Sequence, residues 1–288
     1  MVWNRLPLLV PGDGEILTED LLRALRSEKP VDRWRAAASL TGAARAHHAQ
    51  ALGALGDALG DDHPFVRWCA GLALVQTGRP QAMAVLLDAL QKGPPQRQAA
   101  AADALAYARK LNAEPLLQAL VSQEALVRQS VAEALGRLGY RPAIPRLIAL
   151  LTDASLWVRR AAIRALGHIG DSSSVEPLAL RLSDASPWVR RSAAYALGAM
   201  RAQQAVSALV LALDDPDPQV RRNAAWALGR IGDSVALPKL QALQLDAALD
   251  GSVAQEAQAA IQAIQRPAWR RLARLLRKSP ARHVSGTV

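Results

Sequence analysis

Apolar positions recur along this chain in a pattern that repeats about every 31 residues. In the clearest copies a Val-Arg pair is followed six residues after the arginine by Ala-Leu-Gly. The aligned apolar anchors are Leu40, Leu74, Leu105, Leu135, Leu166, Leu197, Leu228 and Ile261, spaced by 34, 31, 30, 31, 31, 31 and 33 residues. A fixed period over most of a sequence indicates stacked structural repeats, each packed on its neighbours, and not one central core.

Each repeat contains two apolar segments at helical spacing. In residues 142–171, Ile144, Leu147 and Leu151 predict a first helix with one apolar face. Val158 and Leu166 mark the buried side of a second helix. Two short helices cannot bury their apolar faces alone, so neighbouring repeats must cover them.

Polar residues and glycines mark the predicted ends of the helices. Ser155 stands where a side-chain oxygen would cap the second helix, and Ser186 and Asp217 occupy that place in the next two copies. Gly167 and Gly170 follow the second helix, where glycine is expected to form the exit turn.

An arginine and an aspartate recur at fixed positions in the repeat. The arginines are Arg67, Arg128, Arg159, Arg190 and Arg221, and the aspartates are Asp61, Asp153, Asp184 and Asp215. Carboxylate and guanidinium groups at matching positions of adjacent repeats are expected to form ion pairs from one repeat to the next. We interpret this series as structural, setting the spacing of the repeats.

The pattern predicts an all-α protein, a right-handed α-solenoid of about eight two-helix repeats with atypical terminal caps. Residues 1–30 form an N-terminal cap helix in this interpretation, 31–264 the solenoid, and 265–288 a basic amphipathic C-terminal helix and tail. Residues 91–115 depart from the pattern, because Gly93-Pro94-Pro95 replaces the usual acidic turn, and are a candidate flexible point. Apolar residues make up 51% of the chain but aromatic residues only 4%, which suits close packing of alanine-rich helices.

The repeated motif Asp-x-x-x-x-Val-Arg-x-x-Ala-Ala-x-Ala-Leu-Gly, followed by Ile-Gly-Asp at 169–171 and 231–233, resembles HEAT-like repeats. It is most similar to the short subfamily first noted in phycobilin lyases. The resemblance covers roughly residues 30–264. It implies the solenoid fold but not one function, since such repeats occur in unrelated proteins.

The outward face of the second helix carries the candidate binding residues. Three positions share this face: one before the valine, two after it and six after it. The candidate binding residues at these positions are Phe65, Trp68, Gln129, Trp157, Arg160, Arg164, Trp188, Arg191, Tyr195, Arg222 and Trp226. We call this set the aromatic–arginine stripe and expect it to line the concave side of the solenoid. Ordinary packing between adjacent second helices is the alternative explanation.

Aromatic and arginine side chains are the types that contribute most to binding at protein interfaces. The stripe therefore predicts a non-enzymatic scaffold or adaptor that binds another protein, one with an acidic surface or segment. The alternative implied by the resemblance is a phycobilin lyase-type enzyme or chaperone subunit, with a linear tetrapyrrole as the transferred ligand. Otherwise no cofactor is expected.

Charge disfavours nucleic acid as the partner. The net charge is +10, but residues 266–288 contain seven basic residues and no acidic one, which leaves a net charge of +3 for the preceding 265 residues. A HEAT-like DNA glycosylase would need a strongly basic face and a catalytic acid, and among the stripe positions considered only Glu133 is acidic. The basic amphipathic segment 266–278 is a candidate for contact with an anionic membrane surface.

Catalytic and metal-binding patterns are missing from the sequence. The five histidines have no helical partner at metal-binding spacing. No His-Glu dipeptide occurs, which argues against the activity of the HEAT-like deoxyhypusine hydroxylases, since those enzymes use such pairs. The single cysteine, Cys69, is interpreted as a buried, inert thiol, and a cysteine-poor chain is consistent with the cytoplasm.

Overall fold

The computed structural model describes residues 18–45, 49–108, 112–245 and 251–278, the last as backbone only from 266. Over these residues the chain is helical, without strands, and the all-α solenoid prediction is confirmed. The α-helices are α1 Thr18–Ala24, α2 Pro30–Arg45, α3 Ala49–Ala58, α4 Pro64–Thr77, α5 Pro80–Lys92, α6 Pro95–Leu105, α7 Glu114–Ala119, α8 Ala125–Arg137, α9 Ile144–Ala149, α10 Leu156–Ile169, α11 Val175–Leu180, α12 Pro187–Ala199, α13 Val206–Leu211, α14 Pro218–Ile231, α15 Leu237–Leu245 and α16 Gly251–Lys278.

The helices group into two compact units. Unit 1, Met1–Ile169, contains α1 to α10, and unit 2, Gly170–Val288, contains α11 to α16. Consecutive helices pack as pairs, five in the described part of unit 1 and three in that of unit 2. These eight pairs correspond to the predicted repeats.

Most first helices of unit 2, and α9 in unit 1, are short α-helices extended by 3₁₀ turns. Helix α9 lies between the turns Arg141–Ala143 and Leu150–Thr152. The single first helix predicted for this repeat is therefore a short α-helix with a 3₁₀ turn at each end. A 3₁₀ turn at a helix end gives terminal carbonyls a hydrogen-bond partner before the chain reverses.

The second helices pack side by side and form most of the core. In unit 1 each of α2, α4, α6 and α8 contacts the next in the series α4, α6, α8 and α10, and in unit 2 α12 contacts α14 and α14 contacts α16. Their inward faces bury the repeated valine and leucine, such as Val158 and Leu166 in α10 and Val220 and Leu228 in α14. Burial of these side chains removes apolar surface from water and supplies the main stabilisation of the stack.

Small residues set the distance between the second helices. Gly136 lies inside α8, and a Cβ atom added there would stand 2.5 Å from the Cα of Ala165 in α10. In unit 2, Gly198 faces Ala227 in the same way at 2.6 Å. The glycine of the repeated Ala-Leu-Gly therefore permits close helix contact, and the interpretation of Gly167 as an exit-turn residue is wrong, because Gly167 lies within α10.

The exit turn belongs to the second glycine of the motif. Gly170 has a φ of 71°, and Gly232, which ends α14, has a φ of 84°. This left-handed backbone suits glycine because a side chain is strained there. Arg201 takes the same conformation after α12, with a φ of 53°.

The acidic residues of the turns cap or organise the second helices. The Asp217 carboxylate accepts hydrogen bonds from the amides of Gln219 and Val220, as a helix cap does. Ser186 stands at the same place, but its side chain makes no capping bond, and its own amide donates to Asp184 instead. The predicted cap position at Ser186 is therefore confirmed, but the predicted side-chain hydrogen bond is absent, and the aspartate two residues earlier accepts the bond in this turn.

The predicted ion pairs between repeats are present. In unit 1 the Arg128 Nε and Nη2 atoms bond both carboxylate oxygens of Asp153 at 2.8 and 2.9 Å, and in unit 2 Arg190 bonds Asp215 at 2.7 and 2.8 Å. The remaining Nη1 of each arginine donates to two carbonyls of the turn before its own helix. The pair of Arg33 with Asp61 extends the series by one repeat that the sequence pattern did not mark.

Both predicted terminal caps lie partly outside the described residues. Helix α1 packs on α2 and α3, whereas Ile16 and Leu17 of the predicted cap are not described. Helix α16 runs without a break across the boundary predicted at 264/265. The amphipathic character predicted for 266–278 depends on side chains outside the described part of the chain.

Candidate binding surface

Backbone geometry explains why the stripe faces outward. The repeated valine is buried in α4, α8, α10, α12 and α14, and the positions just before it and two and six after it lie on another side of each helix. Trp157, Trp188 and Tyr195 are each more than half exposed, at 55%, 52% and 56%. These three rings are therefore surface residues and not part of the core, whereas Phe65 and Trp226 are half-buried.

Three aromatic rings form a row at the N-terminal end of the stripe in unit 1. Phe65 stacks on Trp68 with ring centroids 5.6 Å apart and an angle of 17° between the planes. The edge of Trp34 meets Phe65 at 5.3 Å and 75°. Such pairs stabilise one another and hold rigid, mostly apolar surface in place.

Trp34 was missed by the sequence analysis although the signal was present. It lies six residues before the anchor Leu40, as Trp68 lies six before Leu74. In the first repeat Asp32 stands where the repeated valine is expected, so the stripe positions could not be counted from a valine there. With Trp34 included, five of the seven tryptophans lie at stripe positions.

Farther along unit 1, arginine accompanies the rings. The guanidinium of Arg160 lies 5.1 Å from the centroid of the Trp157 ring. Arg164 reaches the carboxylate of Glu133 at 3.5 Å, and Gln129 is half-buried on α8. A guanidinium over an indole face is a stabilising contact that still leaves one ring face open for a ligand.

Unit 2 repeats this chemistry. Arg191 lies 4.6 Å from the centroid of Trp188 and at the same time forms two hydrogen bonds, of 3.0 and 2.6 Å, with the carboxylate of Asp217. Tyr195 stacks on Trp226 almost face to face, with centroids 4.8 Å apart and planes at 7°. These contacts fix one ring pair and one guanidinium–ring pair in defined orientations.

Most stripe arginines already have a carboxylate partner inside the protein. Arg164 is paired with Glu133, Arg191 with Asp217, and Arg222 with Glu256 at 3.5 Å. The hydrogen bond from Arg191 is the main reason that the pKa of Asp217 is lower than its ordinary value. The positive charge that the stripe offers to a partner is thus smaller than its residue types suggested.

A hollow interrupts the stripe at the third helix pair. Its volume is about 250 Å³, and it is bounded by Trp68 of α4, Asp103 of α6 and Leu126 of α8, with Tyr107 at one side. The stripe positions of α6 are Gln96, Ala99 and Asp103, and at the middle one the other repeats place a larger side chain. A small alanine at the position of Trp68 leaves the space unfilled.

Asp103 is the second residue that the sequence analysis missed. It lies two residues before Leu105, as Glu133 lies two before Leu135, so it is a stripe residue. The view that Glu133 is the only acid on this face is therefore wrong. The pKa of Asp103 is raised to about 6, mainly by burial; Arg137 and Arg67 act to lower it, and the negative charge of Glu133 adds to the rise.

The described residues contain no group of three or more histidine, cysteine or acidic side chains that could hold a metal ion. Cys69 is buried, as predicted, and burial raises the pKa of its thiol to about 11. No helix over the described ranges is both long and apolar enough to cross a membrane.

Comparison with known proteins identifies the repeats. The sequence pattern of HEAT repeats matches residues 18–106, 113–182 and 175–265. No curated protein sequence gives a match.

Solved structures share the fold. YibA of E. coli is 21% identical over 88% of this chain and 93% of its own, with a TM-score of 0.63. Importin beta is 15% identical over 90% of this chain and 43% of its own, with a TM-score of 0.58. The complex of CpcE and CpcF of phycocyanin lyase from Nostoc is 21% identical over 88% of this chain and 97% of its own, with a TM-score of 0.36. From its matched repeats and its fold, this chain belongs to the family of HEAT-repeat proteins.

Proposed function

We propose that this protein is a non-enzymatic scaffold that binds a segment of another protein along the aromatic–arginine stripe. The observation that carries the proposal is the exposure of large rings on the second helices. Trp157 and Trp188 are more than half exposed. Exposed tryptophan and tyrosine beside arginine is the composition of binding hot spots.

The rings supply most of the binding in this proposal, and the arginines orient the partner. An acidic group of the partner would approach guanidinium groups that already hold Glu133, Asp217 or Glu256. It would share these arginines with the internal carboxylates, so its contribution would be modest. Acidity of the partner therefore adds specificity more than affinity.

We expect the substitutions Trp157→Ala and Trp188→Ala, made together, to reduce capture of the partner about tenfold or more. Neither ring belongs to the core, so the melting temperature should change by only a few degrees. The measurement is affinity capture from a lysate of the source cells by the tagged chain, followed by quantification of each captured protein. Arg191→Ala is a poor probe, because loss of this side chain also frees Asp217, the cap of α14.

The matched control removes exposed apolar side chains from the first helices. Leu180 and Leu211 are 63% and 75% exposed on α11 and α13 of unit 2. Leu180→Ala with Leu211→Ala should capture the partner as the unchanged chain does. The stripe would be refuted as the binding face if this control lost capture, or if the tryptophan variant captured the partner as well as the unchanged chain.

Two further assays separate the other classes of ligand. Salt-dependent retardation of DNA that is lost with the tryptophans would replace the proposal by a nucleic-acid interface. A change in the visible absorbance of phycocyanobilin that depends on the same rings would replace it by the tetrapyrrole alternative. We expect neither DNA retardation nor a change in phycocyanobilin absorbance that depends on these rings.

A further inference from the structure

The hollow at the third helix pair has the size of one side chain. Pockets for drug-sized ligands occupy roughly 300 to 1,000 Å³, and this one measures about 250 Å³. The rings of Trp68 and Tyr107 provide two of its walls, and Ala99, Ala100 and Ala104 add small apolar surface. It opens on the same face as the row of rings at Trp34, Phe65 and Trp68. A chain lying along that row could therefore insert a side chain.

The carboxylate of Asp103 is the feature that selects the occupant. Among the described residues it forms neither a hydrogen bond nor an ion pair, and the charged groups that act on it are Arg67, Arg137 and Glu133. Each of these has its own partner. Arg67, which also lines the hollow, donates to the carbonyls of Asp61 and Asp62, and Arg137 approaches both Glu133 and the Tyr107 hydroxyl.

An occupant must satisfy this carboxylate and also fit aromatic walls. A carboxylate ligand would be repelled, and an apolar side chain would bury the Asp103 oxygens without a donor, which is costly. An ammonium group meets both conditions, because it hydrogen-bonds a carboxylate and is attracted to the faces of aromatic rings. A lysine side chain has in addition a methylene stem that suits apolar walls.

We propose that this hollow receives the ammonium group of a lysine side chain from the segment bound along the stripe. The inference deepens the proposed function, on which it rests for the source of the lysine. The binding chemistry of the hollow itself needs only a primary alkylammonium and can be tested without the partner.

The protonation of Asp103 gives this site a characteristic dependence on pH. Its pKa is raised from 3.8 to about 6, so the folded protein holds this proton more tightly than the unfolded chain. Stability that depends on Asp103 is therefore full below about pH 4 and declines as the pH rises through 6. An ammonium ligand binds the ionised form and should bind more tightly at pH 7.5 than at pH 5.

The probe is n-butylammonium chloride, with n-butanol as the neutral control, titrated into the full chain and followed by NMR of the ligand and of the tryptophan side chains. We expect binding in about the millimolar range, weakened about tenfold by Asp103→Asn and abolished by Ala99→Leu, which fills the hollow. Asp103→Asn should also raise the melting temperature at pH 7.5 and leave it unchanged at pH 4. Equal binding of butanol, equal affinity at pH 5 and 7.5, or undiminished affinity in Asp103→Asn would overturn the proposal.

Failure of this inference can be told apart from failure of the proposed function. Trp157→Ala with Trp188→Ala should leave n-butylammonium binding unchanged, because neither ring lines the hollow. If the ammonium binds and no protein partner depends on the tryptophans, the hollow stands and the proposed function fails. If a partner is captured and the ammonium does not bind, the proposed function stands and the proposed lysine site fails.

Discussion

Gly136→Val is expected to destabilise the protein by about 3 kcal/mol, a large effect for one side chain in a helix. A Cβ atom at this position would stand 2.5 Å from the Cα and 2.7 Å from the Cβ of Ala165. Because the blocking atom belongs to the backbone of α10, no rotamer change relieves the contact, and α8 and α10 must move apart. Separation of the helices would also loosen the packing of Val158 and Leu166.

The measurement is the free energy of unfolding from urea titration, with helix content followed by circular dichroism. Gly53→Ala is the matched control, since Gly53 lies exposed in α3 and nothing stands within 4 Å of its added Cβ. Alanine there should stabilise the helix by about 1 kcal/mol. If Gly136→Val proved as stable as the wild type, the close approach of the second helices would be refuted.

Asp153→Ala is expected to cost about 3 kcal/mol of stability. The Asp153 side chain is only 8% exposed and accepts both hydrogen bonds from Arg128, as well as one from the Ser155 amide. Its removal would leave the guanidinium, itself 15% exposed, without its counter-charge and the turn before α10 without its acceptor. The loss reflects the unpaired groups left behind, more than the net value of the pair.

The same pair predicts a pH dependence with a definite sign. Burial raises the pKa of Asp153, but the hydrogen bonds from Arg128 and the Ser155 amide outweigh it, so the folded pKa lies below the ordinary 3.8. A lowered pKa means that the pair stabilises the fold above pH 4 and ceases to do so as the pH falls through the folded value. The stability difference between wild type and Asp153→Ala should therefore shrink under acid conditions.

Asp88→Ala is the control for this second prediction. Asp88 pairs with Lys92 one turn away on α5, but both side chains are more than half exposed. Exposed pairs of this kind contribute little, so the melting temperature should not change. An effect equal to that of Asp153→Ala would show that general surface charge, and not the series of ion pairs between repeats, controls stability.

The sequence was sufficient for the fold because each repeat carries the same constraints. The period of 31 residues places Val158, Val189 and Val220 at equivalent buried positions, and the recurring Arg and Asp residues place the ion pairs. Gly167 was misinterpreted because a glycine near a helix end is usually a turn residue. The equivalent glycines of the preceding and following repeats, Gly136 and Gly198, are required by the short distance to the neighbouring helix, which the sequence of a single repeat does not reveal.

The candidate binding face was only partly predictable. Exposed rings could be assigned from helical geometry, but Trp34 and Asp103 lie in the two repeats whose valine is replaced, by Asp32 and Arg97. The hollow arises from Ala99, a small residue whose effect is felt only beside Trp68 and Leu126. The pairing of Arg191 with Asp217 joins different helix pairs and was likewise invisible in the local pattern.

We expect the partner to cover the second helices, and protection of single cysteines tests this expectation most directly. Cys69 is buried with a thiol pKa of about 11, so it should not react with a thiol reagent at pH 8. Single cysteines are introduced at Gln129 of the stripe and at Gln219, which stands just before the buried Val220 and on the stripe face of α14, and at Leu180 and Leu211 on the first helices. With the captured partner bound, we predict slower labelling at Gln129→Cys and Gln219→Cys and unchanged labelling at Leu180→Cys and Leu211→Cys. Protection of the first-helix cysteines alone would contradict the account.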